Sequence, residues 1–186
     1  MIETAIEVTD DRVPARVIRR IIDVEREMPS HPIELLPHAR AAVEAAAASR
    51  RVPLITKGDL LDQGRKLARS GLGKLFDGGE IVSHKTPEVY ARAFAAHGGP
   101  ERAMMVGNSM KSDVLPALAA GAWGVFAPHG LISDLEHAAP PEQEARIHEI
   151  GDLGALPDLI AQVEASDPAL ATSGAIRPAG PHISQT

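Results

Sequence analysis

A chain of 186 residues with a net charge of −6 is long enough for one domain with a sizeable core. That charge gives no reason to expect nucleic acid or an anionic membrane as partner. The absence of cysteine excludes disulfides, thiolate nucleophiles and cysteine–zinc sites, and 3% aromatic residues leave the core to aliphatic packing. No apolar run approaches the ~20 residues of a membrane span, and no basic-then-apolar leader opens the chain, so a reducing cytoplasm is the expected setting.

In chain order, Pro14 suits a first helical position and is followed by Val17, Ile18, Ile21, Ile22 and Met28 at helical spacing. "SHPIELLP" breaks the pattern, and the Ala-rich 38–49 predicts a second helix. "VPLIT" (52–56) predicts a buried strand, and the amphipathic 59–72 a helix ending near Gly71. "EIVS" (80–83) predicts a strand, 86–97 a helix with Pro87 in its first turn, and "AMMVG" (103–107) a third strand. A helix over 113–120, stopped by Gly121, leads to a fourth strand, "AWGVF" (122–126). "RIHEI" (146–150) suggests a short fifth strand, and 153–165 a closing helix with Pro157 near its first turn. Alternation with crossovers of helical length requires a parallel sheet, hence an α/β, Rossmann-like fold with flanking helices. The residues after Ala165 are rich in Pro, Gly, Ser and Ala without periodicity, which predicts a disordered tail over 166–186.

Polar groups at the C-terminal ends of buried strands are where such sheets place their chemistry. Asn108 ends the third strand and Asp113 opens the next helix. The plain reading is capping, in which Ser112 or Asp113 accepts the first free amides of that helix. An amide oxygen and a carboxylate on one loop also suit Mg²⁺, and both readings stand on the loop alone. Thr56, Lys57 and Gly58 end the first strand, where a hydroxyl, a glycine amide and a helix N-terminus form a small anion site or an ordinary loop. Lys85 follows the second strand and gains interest because the other groups share its edge. His84 and His129 lie on similar loops, where exposure is the simpler reading. No HExxH, GxSxG, P-loop or GxGxxG occurs.

"LITKGD", "SHKTPEVY" and "MMVGNSMKSDVLPALAAGAWGVF", in that order, resemble the second, third and fourth motifs of the haloacid dehalogenase-like (HAD) hydrolase superfamily. The resemblance spans roughly residues 30–165 and is strongest over 103–126. It implies a remnant of a helical cap over 1–35 and a HAD-like core over 36–165. In this family an aspartate of a D-x-D motif on the first strand attacks phosphorus and forms an aspartyl-phosphate, and the second aspartate protonates the leaving group. By position, Thr56 would bind a phosphoryl oxygen with Lys57 and Gly58 beside it. Lys85 would neutralise nucleophile and phosphate, and Asn108 and Asp113 would help hold Mg²⁺. The capping and metal readings of Asp113 are then compatible.

Two departures follow. Asn108 stands where the family usually has an acid, which weakens Mg²⁺ binding and leaves a metal-free dehalogenase as a minor reading. No D-x-D occurs anywhere in the chain, so the nucleophile and its strand, which belongs between the second- and fourth-motif strands, are missing. The expectation is an N-terminally truncated, Mg-dependent phosphatase of a small phosphorylated metabolite, inert as written. The alternative is a non-catalytic relative that binds a phosphorylated ligand or a partner. The oligomeric state is not legible.

Overall fold

Short apolar runs that end in a glycine or a polar turn form the strands, and capped amphipathic segments form the helices between them. The computed structural model describes residues 2–10, 12–27, 33–130, 138–141, 144–167 and 183–185. Chain contacts divide it into two compact units, Met1–Glu34 and Leu35–Thr186.

The first unit holds α1 (Ile2–Val8) and α2 (Ala15–Glu27). Helix α1 was not expected. Its half-buried Ile2, Ala5 and Ile6 follow a helical repeat too short to register in the sequence. In α2, Ile18, Ile21 and Ile22 are half-buried, whereas Val17 is 39% exposed. Met28 lies outside the described residues.

The second unit runs α3 (Ala39–Ala47), β1 (Leu54–Lys57), α4 (Leu60–Ser70), β2 (Gly79–Val82), α5 (Pro87–Ala95) and β3 (Met104–Gly107). A five-residue π-turn, Met110–Val114, then leads into α6 (Leu115–Ala119), β4 (Trp123–Phe126), β5 (Ile147–Glu149) and α7 (Leu156–Ser166). Local chemistry sets these boundaries. Asp59 caps α4 by accepting the Leu61 and Asp62 amides, and Gly71 at φ 69° ends it. Thr86 caps α5, with Pro87 in its first turn.

Together with β6 (Ile183–Gln185), the described strands pair in parallel throughout and form two sheets, β1–β2–β6 and β3–β4–β5. Strands β1 and β3 are not paired with each other. The family resemblance expects a further strand between them. One core joins the sheets: Ile55 and Val82 meet Tyr90, Ala93 and Phe94 of α5 and Ala117 of α6, with Met105 of β3 packed against them. On the other face, Met104 and Val106 of β3 and Val125 of β4 meet Ala42 of α3 and Leu156 of α7. This alternation along β3 is the period-two pattern of a strand packed on both faces, its residues half-buried.

Two expectations are corrected. The helix expected over 113–120 begins with the π-turn at Met110, because Ser109 supplies the cap three residues earlier. The tail expected to be disordered includes β6 (Ile183–Gln185), which pairs with β2 from Gly79 to Ile81. The outer edge of β2 offers unpaired backbone groups that an extended segment satisfies. Residues 168–182 and 186 lie outside the described residues.

Candidate active site

Because β1 and β2 are parallel and in register, their C-terminal ends share an edge, as do those of β3 and β4. Lys85, three residues beyond β2, reaches across to the turn that follows β3. Its Nζ lies 2.5 Å from Asp113 Oδ1, and the two side chains are only 13% and 5% exposed. The second carboxylate oxygen of Asp113 accepts the Ser109 amide at 3.1 Å.

The π-turn explains this orientation. Ser109 Oγ accepts the Ser112 amide at 3.0 Å, and Asp113 reaches back to the Ser109 amide. This is the reciprocal pattern of a capping box, with the acid one residue later than usual. The shift follows from the wider turn, in which the Val114 amide bonds the Ser109 carbonyl at 3.2 Å. The cap is therefore Ser109, not Ser112 or Asp113 as expected; Asp113 assists by holding the cap residue's own amide.

Gly107 permits the close approach. A Cβ placed there would lie 2.4 Å from Asp113 Oδ2 and 2.5 Å from its Cβ and Cγ, so the carboxylate rests on the bare end of β3. From the other side Tyr90, fully buried on α5, donates its hydroxyl to the Ser112 carbonyl at 3.2 Å. Burial pushes the Tyr90 phenol well above its ordinary range, and the Asp113 carboxylate raises it further.

The remaining expected residues are placed differently. Asn108 is exposed at the end of β3. Thr56 Oγ1 donates to Gln63 Oε1 at 3.1 Å, so the hydroxyl turns back onto α4. Lys57 is exposed, and Gly58 adopts φ 141°, with Gln63 beside it. The first-turn amides of α4 are shared with Asp59. His84 and His129 are exposed. Lys85 and Asp113 are thus brought into contact, whereas Thr56 is engaged by a local partner. Sequence reasoning missed Ser109, Tyr90 and Gln63. The signal for Tyr90 was present: a lone tyrosine in an aliphatic helix needs a partner for its hydroxyl when buried.

As a cation site the loop supplies one carboxylate, Asp113, and one exposed amide, Asn108. Among the described residues no group of three or more His, Cys, Asp or Glu could hold a metal ion. Oxygen donors of this kind are the type Mg²⁺ takes together with waters and substrate oxygens, and both Asp113 oxygens are engaged in this structure, by Lys85 and the Ser109 amide. No helix among the described residues is long and apolar enough to cross a membrane.

The Lys85–Asp113 pair is buried at the C-terminal edge of parallel strands, where open α/β sheets place their chemistry. The family model described as HAD-hydrolase-like matches residues 84–153, which include Lys85, Asn108 and Asp113. A haloacid dehalogenase-like family hydrolase from Xanthomonas campestris superposes with a TM-score of 0.78 at 42% identity, over 89% of this chain and 70% of that one. The chain belongs to the haloacid dehalogenase-like hydrolase family. A second hydrolase of that description, from Burkholderia xenovorans, gives a TM-score of 0.61 at 22% identity, over 77% of this chain and 66% of that one; this likeness shows the fold alone. Among curated proteins none matches the chain.

Proposed function

We propose that this chain carries the charge-handling part of a magnesium-dependent phosphatase that cleaves a small phosphorylated metabolite through an aspartyl-phosphate. The observation behind this reading is the buried Lys85–Asp113 pair at the edge where β2 and β3 end. A fixed ammonium there lowers the cost of bringing an anionic nucleophile against a phosphate dianion, and burial strengthens its field. Asp113 and Asn108 would hold Mg²⁺, which when bound screens the same two negative groups. Thr56 would bind a phosphoryl oxygen once its hydroxyl turns from Gln63, with the Lys57 and Gly58 amides beside it. The nucleophile of this scheme is a D-x-D aspartate on a strand between β1 and β3, and no D-x-D occurs in these 186 residues. Residues 1–35 correspond in this reading to part of a helical cap.

The test is hydrolysis of p-nitrophenyl phosphate, with and without Mg²⁺. The 186-residue chain is compared with the same chain joined to an N-terminal segment carrying a D-x-D strand. The expected result is no turnover alone and magnesium-dependent turnover when joined. Turnover by the chain alone would place the nucleophile on a carboxylate of these 186 residues, and a joined chain that folds but stays inert would defeat the phosphatase reading. The lack of D-x-D also favours a second reading, a non-catalytic binder of phosphorylated ligands. That reading requires the unextended chain to bind inorganic phosphate and to lose it in Lys85→Met.

A further inference from the structure

The first turn of α5 touches the π-turn at two neighbouring residues. Lys85 precedes the Thr86 cap and binds the Asp113 carboxylate, while Tyr90, whose amide bonds the Thr86 carbonyl at 3.1 Å, holds the carbonyl of Ser112. Both grips originate on one rigid segment, since Thr86 also accepts the Val89 amide and the Tyr90 ring stacks on Phe94 at 5.7 Å. A hydroxyl at a fully buried position without a partner would be costly, so Tyr90 and the Ser112 carbonyl satisfy each other. A π-turn is a locally strained opening of a helix and needs outside contacts to persist.

We propose that Tyr90 is a positioning residue for Asp113, which fixes the π-turn at Ser112 so that the next carboxylate faces Lys85 and the Ser109 amide. That Asp113 takes part in phosphate chemistry rests on the reading above; the grip itself does not. The hydroxyl touches no reacting atom and acts only through the peptide unit between Ser112 and Asp113.

One measurement on the 186-residue chain tests this without any catalysis. In Tyr90→Phe, which keeps the ring and its stacking, amide hydrogen exchange is followed at Ser109 and along β4. The Ser109 amide is expected to lose protection about tenfold, the effect of one buried hydrogen bond, while the β4 amides keep theirs. Unchanged protection at Ser109, or a loss shared equally by β4, would overturn the proposal, because a tyrosine that merely fills the core weakens both alike. A failed phosphatase assay with a positive exchange result would remove the chemistry and leave the grip in place.

Discussion

Replacing Gly107 with alanine adds one methyl group at the point where the chain is least able to receive it. The added carbon would stand 2.4–2.5 Å from Oδ2, Cβ and Cγ of Asp113, whereas ordinary contact begins near 3.4 Å. A shortfall of roughly 1 Å cannot be relieved by rotating the carboxylate, because Asp113 Cβ is itself among the clashing atoms. Either β3 or the π-turn must move. Overpacking of this kind costs about 1–3 kcal/mol. If the shift also pulls Asp113 from Lys85, a buried charge loses its partner, and complete separation adds about 3–5 kcal/mol. Partial separation puts the total near 3–4 kcal/mol. For a chain of this size each kcal/mol lowers the melting temperature by about 2–4 °C, so a fall of about 10 °C is expected. The single tryptophan, Trp123, is 7% exposed on β4, and its fluorescence follows the melt of this unit. A melting temperature within about 2 °C of the parent would refute the close approach of Asp113 to the end of β3, and with it the account of why glycine stands there.

Gly64, in the middle of α4, has no atom within 4 Å of an added Cβ, so Gly64→Ala should raise stability by about 0.5–1 kcal/mol; a lower melting temperature would show a hidden clash. Tyr90 predicts an alkaline limit. Its phenol is raised in the folded chain above the ordinary value of 10.0, so above that pH the unfolded chain loses the proton first and stability falls as pH rises. Urea unfolding of Tyr90→Phe across pH 9–11 should show a shallower decline than the parent, and parallel curves would contradict the buried hydroxyl. In a chain joined to a D-x-D strand, Asp113→Asn should lower magnesium-dependent turnover at least about tenfold, since the loop would offer only neutral oxygens. Undiminished magnesium dependence would remove Asp113 from the cation site.

The sequence by itself determined what depends on nearest neighbours. Apolar runs such as "VPLIT" and "AMMVG" became β1 and β3, and Asp59, Thr86 and Gly71 set helix ends, because strand patterning and caps act over a few residues. The family was also legible, since its motifs follow strand ends in chain order. What the tertiary structure decided is every relation that spans elements. Lys85 and Asp113 are 28 residues apart, and only the packing of α5 against β2 and α6 brings them together. Tyr90 reads in the sequence as one more core residue until its hydroxyl is seen on Ser112, 22 residues away. Ser109, not Ser112 or Asp113, caps the π-turn that begins at Met110, and that turn lays Asp113 over Gly107. The division into two sheets and the docking of 183–185 on β2 likewise depend on which strand edges are left without partners, and those edges exist only once the strands have been brought side by side.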